Sequence, residues 1–188
     1  GPFAEIDSLF SYNQLTYTHA NANAYTGPLF YYLQTRTGCG VKYSAASATL
    51  QPMLVNVTNP GNNTIANITW NTISNPALPT TNANYNVFRK YPATGWSLIG
   101  STPSTSYIDT NNICIDSAFY KVEIGDASGC NSVSGIDGNL FVDQTVPAAP
   151  DLRCISVNTN GSVSFTWIAP IDTGLDYNSY HIFTSNNA

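Results

Sequence analysis

The sequence predicts an all-β fold of antiparallel strands packed face to face as sandwiches. One observation comes from the stretch between Thr64 and Cys130, where five short runs rich in β-branched and aromatic residues alternate apolar with polar side chains. Each run is bounded by Pro, Gly, Asn or Ser clusters, which is the signature of a half-buried strand closed by turns. A second is their spacing of roughly ten residues, typical of an antiparallel sandwich. The third is length: 188 residues hold about two sandwiches of roughly 100 residues each. No stretch carries a helical period.

The elements of the central region, residues 51–145, follow in order. Ile65–Trp70 ends one strand on a Trp, Tyr85–Arg89 carries Tyr-x-Val-x-Arg, and Trp96–Ile99 reads as an edge strand. Thr105–Asp109 contains Ser-Tyr-x-Asp, and Phe119–Ile124 contains Tyr-x-Val, closing on Gly129-Cys130. This order of landmarks resembles a fibronectin type III domain, an immunoglobulin-like sandwich. The resemblance implies one complete domain of that type here.

The flanks read as two halves of another such domain. In residues 1–50, Gly1–Ile6, Gln14–Thr18 and Leu29–Thr35 read as strands matching the later part of the centre. Ile6 aligns with Ile99, Tyr17 with Tyr107, Phe30-Tyr31 with Phe119-Tyr120, and Gly38-Cys39 with Gly129-Cys130. Residues 43–50 form a Ser/Ala-rich closing strand. In residues 146–188, the Pro-rich linker Val146–Pro150 precedes Leu152–Val157, Gly161–Trp167 and Tyr180–Phe183, which match the earlier part of the centre. Pro fixes φ and stiffens such a linker.

Placed end to start, Asn186–Ala188 followed by Gly1–Ile6 reads as the turn and edge strand of an ordinary repeat. Trp70 and Trp167 are 97 residues apart, and so are Cys130 and the Cys39 of a following copy. The chain therefore reads as one two-domain period of a tandem array, cut inside a domain. A half-sandwich exposes strand edges and a core face, so closure between successive copies, by covalent continuity or by strand exchange, builds a fibre. The competing reading is a chain with ragged domain boundaries, Gly1-Pro2 being a protease scar.

Composition narrows the partners. Charged residues make up only 9% of the chain and the net charge is −5. Without a basic stripe there is little to release phosphate counterions, so nucleic acid and anionic membrane surfaces are not expected partners. No apolar run is long enough to span a bilayer, and no signal peptide remains. Four cysteines on this background suggest an oxidising, extracellular compartment. Each domain holds two, so the expected bridges are Cys114–Cys130 within the centre and Cys39–Cys154 across the copy boundary. Four cysteines permit three pairings; a bridge of this kind contributes roughly 3 kcal/mol.

A narrower resemblance rests on Tyr17–Ala24, Phe30–Cys39, Phe88–Ala93, Val142–Pro147 and Cys154–Asn158. These segments are similar to the fibronectin-like repeats of large gliding-motility-associated surface proteins of Bacteroidota. That family implies export by the type IX secretion system and display at the cell surface. It also implies O-glycosylation at Asp-Ser-apolar sites, here Ser8 and Ser117. Asn56, Asn62, Asn67 and Asn160 separately fit the Asn-x-Ser/Thr rule for N-linked sugar.

Chemistry finds little foothold in these residues. Trp70 and Trp167 end apolar-alternating strands and are expected in cores rather than as sugar platforms. Loop tyrosines Tyr12, Tyr25 and Tyr177 are candidate partner contacts. His19 and His181 stand in no catalytic motif, no Cys-x-x-Cys element points to a metal, and Asp137-Gly-Asn139 with Asp143 reads as a turn more than a calcium loop. No enzyme activity and no cofactor are expected. The function expected is a structural repeat of an extracellular fibre, adhesin or stalk, with successive copies and surface glycans as partners. The alternatives are a spacer module of a secreted polysaccharide-degrading enzyme, or a receptor ectodomain with an exposed aromatic patch.

Overall fold

A computed structural model describes residues 2–39, 42–61, 65–92, 94–111, 113–144, 146–171 and 177–185. Among these residues the protein is all-β, with ten strands and no helix. Strands β1 (Val55–Thr58), β2 (Ile65–Trp70) and β5 (Ser106–Thr110) form one antiparallel sheet in the order β1-β2-β5. The other sheet joins β3 (Tyr85–Lys90), β4 (Ser97–Thr102), β6 (Ile115–Gly125), β7 (Asn131–Val133) and β8 (Asp137–Val142). Its order is β4-β3-β6-β7, with β8 also paired to β6. A separate hairpin pairs β9 (Asp151–Val157) with β10 (Val163–Ile168).

Period-two alternation explains the core. Ala66, Ile68 and Trp70 point inward from β2, and Ala118, Tyr120, Val122 and Ile124 point inward from β6. Met53, Val57, Tyr85, Val87, Ile113 and Phe141 complete the apolar layer between the sheets. Trp70 meets Tyr85 edge to face, with centroids 5.4 Å apart and planes at 68°. Trp70 is thus a core residue, as its strand position suggested.

Beyond Gly125 the chain turns through Gly129, whose φ of +86° suits glycine. It then runs back along β6 as β7 and β8, interrupted at Ser134–Ile136. Ser134 covers the break: its N–H donates to the Val122 carbonyl, and its Oγ accepts from the Val122 N–H and donates to the Gly135 carbonyl. The Gly135 N–H meanwhile donates to the Met53 carbonyl, tying this edge to the chain leading into β1. Asp137 Oδ2 accepts from the Val57 N–H at 2.7 Å, and Asn139 Nδ2 donates to the Val57 carbonyl at 3.4 Å. The acidic turn weighed as a calcium loop is therefore strand β8, which cross-links the two sheets.

Gly138 lies opposite Phe119 on β6. A Cβ there would sit 2.6 Å from the Ala118 carbonyl oxygen and 2.6 Å from the Phe119 ring, and a backbone oxygen cannot move aside cheaply. Gly138→Ala is expected to cost about 2 kcal/mol, read as a lowered thermal midpoint.

The flanks differ from the strands expected of them. Residues 2–39 and 42–50 contain isolated bridges, Tyr31 with Leu50 and Arg36 with Tyr43, but no regular strand. Residues 177–185 are likewise irregular, where Tyr180–Phe183 was expected to be a strand. Residues 31–37 and 42–50 face each other through backbone hydrogen bonds, Tyr31 with Leu50, Ser47 to Leu33, Ser44 to Thr35 and Thr37 to Lys42, whereas Tyr180–Phe183 joins no ladder among the described residues.

Four local arrangements of the centre nevertheless recur in the flanks. Trp167 meets Tyr180 edge to face at 5.1 Å and 74°, as Trp70 meets Tyr85. The Ser47 N–H donates to the Leu33 carbonyl, while Ser47 Oγ accepts from the Leu33 N–H and donates to the Ala48 carbonyl, as Ser134 does around Val122. The bridge of Tyr31 to Leu50 falls three residues beyond that serine, as Tyr120 with Asp137 does. His19 Nδ1 and the Tyr31 hydroxyl are 3.0 Å apart, where the centre has Asp109 Oδ2 and the Tyr120 hydroxyl at 2.8 Å.

Candidate functional site

The candidate site consists of two open apolar faces, one on each flank of the closed sandwich. On the C-terminal side, β9 and β10 pair from Asp151 opposite Ile168 to Val157 opposite Val163, with a register shift at Thr166/Trp167. The turn between them closes on Gly161, with Asn160 Oδ1 accepting from the N–H and the hydroxyl of Ser162. One face of this hairpin and the following segment enclose a groove of about 560 Å³, lined by Leu152, Ile155, Val163, Phe165, Trp167 and Tyr180 among others. Tyr177 lies tilted against Tyr180, with ring centroids 5.0 Å apart and planes at 50°, extending the aromatic wall.

Exposure measures how far this face is from a finished core. Val57 and Val87 in the centre are 5% and 0% exposed, while the matching Ile155 and Ile182 are 70% and 66% exposed. The other flank is equally open: Leu33 is 77% exposed where the matching Val122 is 0%. Phe10, Tyr12 and Leu15 stand almost wholly in solvent. Apolar side chains exposed to this degree make both flanks candidate contact surfaces.

Aromatic and polar contacts hold parts of the N-terminal face in place. Phe3 packs edge to face on Tyr32 at 4.7 Å. The Tyr17 hydroxyl is raised above the ordinary tyrosine range by desolvation, and then by the charge and hydrogen bond of Asp7. Tyr25 lies across Gly135, beside a cleft shared with Leu54, Val55 and Asp137. His181 Nε2 is 3.1 Å from Ser179 Oγ.

The four cysteines are exposed and unbridged. The bridge expected between Cys114 and Cys130 is excluded by the fold. Cys114 precedes the first residue of β6, its carbonyl accepting from the Asp143 N–H, whereas Cys130 lies beyond the far end, bonded to Asp126. The strand between them spans about 33 Å, and a disulfide needs Cα atoms within about 7 Å. Cys39 and Cys154 lie on opposite flanks and are not joined within the chain.

The glycan acceptors differ in access. Ser8 is exposed, its N–H bonded to Asp7 and its hydroxyl to Glu5. Ser117 is half-buried within β6, opposite Leu140. Asn56 and Asn160 are exposed, and Asn67 is half-buried on β2. Asn62 lies outside the described residues. Among the described residues no three His, Cys, Asp or Glu side chains gather as a metal site, and no helix is long and apolar enough to cross a membrane.

Sequence reading missed the polar interior of the centre. Asp109 Oδ2 accepts from Arg89 Nη1 and from the Tyr120 hydroxyl, both at 2.8 Å. Burial, then the Asp109 charge, pushes the Tyr120 phenol far above its ordinary value. The signal was present in Tyr-x-Val-x-Arg, Ser-Tyr-x-Asp and Phe-Tyr, whose polar members sit out of step with exposure.

No family model matches the chain, and no curated protein matches it. Among solved structures, the chain is similar to a pectate lyase from Pectobacterium carotovorum at 16% identity and a TM-score of 0.38. The match covers 53% of this chain and 28% of that one, so the chain spans less than a third of the lyase.

Proposed function

We propose that the chain is a structural repeat unit of an extracellular fibre or long cell-surface stalk. Its centre is a fibronectin type III-like sandwich of residues 51–145, and its flanks, residues 1–50 and 146–188, are complementary halves of a second one. Copies complete one another at these halves, and the linker Val146–Pro150 spaces successive domains. The observation that carries this reading is the pair of open faces whose packing motifs repeat those of the closed centre. Trp167 with Tyr180 supplies the first half of such a core, and Ser47 with Leu33 supplies the edge of the second. A surface with few charges and many Asn, Ser and Thr side chains suits an extracellular filament, and sugars at Ser8, Ser117 and the exposed asparagines would extend that polar coat.

Sedimentation velocity over a range of concentrations tests this. Species growing in multiples of 20.2 kDa, with filaments one domain wide by electron microscopy, are expected. A chain that stays at 20.2 kDa at every concentration overturns the reading.

A further inference from the structure

We propose that the groove on the β9–β10 hairpin and residues 177–185 is filled by residues 3–39 and 42–50 of a second copy of this chain, in the strand register that the central sandwich already displays. This rests on the fibre reading above and adds the partner segment and its alignment. In the centre, β3 lies against β6 with Val87 opposite Val122 and Arg89 opposite Tyr120. Carried over by the matched residues, Ile182 lies opposite Leu33 of the second copy, and Thr184 opposite Tyr31. The centre also pairs β2 with β5, Ile68 opposite Tyr107. That places Phe165 opposite Tyr17 of the second copy, the ring entering the groove between Trp167 and Ile155.

The occupant is a second copy because the flanks leave the sandwich at opposite ends. Residue numbers in β1 and β8 climb in the same direction, since Val57 bonds Asp137 and Asn139 while Asn59 bonds Leu140. The N-terminal flank joins at Gln51, bonded to Ile73, near the end where Gly135 meets Met53. The C-terminal flank leaves after Val142 at the other end, about 23 Å along β8 from that point. Each half therefore faces away from its own counterpart. The two faces are unlike, so each joint leaves one open face at either end for a further copy to occupy.

The register also revises the expected Cys39–Cys154 bridge. Cys154 pairs with Thr166 as Asn56 pairs with Thr69, so it takes the place of Asn56, one residue from the Val57–Asp137 contact. Thr37 bonds the Lys42 carbonyl as Asp126 bonds that of Cys130, so Lys42 takes the place of Cys130 and Cys39 lies two residues past Thr37, beyond the end of the segment matching β6. The level of Thr37 and Lys42 is already about five residues, or about 17 Å, from that of Cys154 along the strands, so Cys39 is beyond disulfide reach. Association is held by strand pairing and apolar contact, and proceeds without the native thiols.

The test uses the full chain with Cys39, Cys114, Cys130 and Cys154 replaced by Ser, all four being exposed. Leu33→Cys and Ile182→Cys are added, and oxidised glutathione takes up the two electrons and two protons as each disulfide forms. A non-reducing ladder in steps of 20.2 kDa is expected. The pair Gln34→Cys with Ile182→Cys, one residue out of register and so on the opposite face, is expected to give at least about tenfold less. Far-ultraviolet circular dichroism checks that each variant retains its β content. Filaments with efficient Gln34 cross-linking would overturn the register and leave the fibre reading standing. A bridge within single 20.2 kDa chains would overturn the second copy as occupant. Neither cross-linking nor sedimenting oligomers would overturn both.

Discussion

Phe141→Ala is expected to lower the unfolding free energy of the central sandwich by about 4 kcal/mol. Phe141 on β8 is wholly buried in the layer shared with Tyr120, Val122 and Ile68. Truncation removes the ring's burial and leaves a void that backbone ladders on both sheets keep from collapsing. That is a large share of the roughly 5–15 kcal/mol stabilising a domain. Its neighbour Leu140 points outward and is 54% exposed, so Leu140→Ala is expected to stay within about 0.5 kcal/mol. Urea unfolding followed by tryptophan fluorescence separates the two. Equal midpoint shifts would contradict the burial pattern of β8.

Asp109→Ala is expected to cost about 3 kcal/mol. The carboxylate accepts from both Arg89 and Tyr120, and its loss strands a partly buried guanidinium and a fully buried phenol together. Tyr120→Phe removes one donor only and is expected to cost about 1 kcal/mol. The two variants also separate in alkali. Burial and the Asp109 charge hold the Tyr120 proton in the folded state beyond the point where an unfolded tyrosine releases it, near pH 10. This contribution is therefore complete below pH 10 and is lost as pH rises through the higher folded value. Urea midpoints of the parent are expected to fall above about pH 10, and those of Tyr120→Phe to fall less. Parallel curves would remove the phenol from the account.

The five central strands were legible because each satisfies its period locally and finds its partner within the chain. Ile65–Trp70 and Phe119–Ile124 alternate strictly, and burial follows the alternation. The length of β6 was underestimated: Ile115–Ala118 carry Asp116 and Ser117, which obscured a strand held by β8 on one side. The interruption between β7 and β8 was also hidden, since it depends on Ser134 bonding its neighbours and not on a turn signal. Leu29–Thr35 carries strand composition and meets residues 44–50 only through scattered backbone bonds, and Tyr180–Phe183 carries it without joining a ladder among the described residues. The flanks read in sequence as a Trp-bearing start without an ending and an ending without a start; the structure shows there a hairpin, isolated bridges and exposed apolar side chains. The false Cys114–Cys130 pair came from counting cysteines per domain, which ignores that an extended strand holds its ends apart.

The parallel run of β1 beside β8 also dictates how the chain answers to force. Tension applied through the flanks reaches the centre at Gln51 and leaves it beyond Val142, so β1 and β8 are drawn in opposite directions along their lengths. Asp137, Asn139 and Asn59, which tie those strands side by side, are then strained together in shear. The β9–β10 hairpin meets the same pull differently. Its two chain ends emerge together at Asp151 and Ile168, so its bonds break in succession from that end. Under a stretching load the hairpin peels first unless something is packed across it, and the central sandwich is the last element to yield.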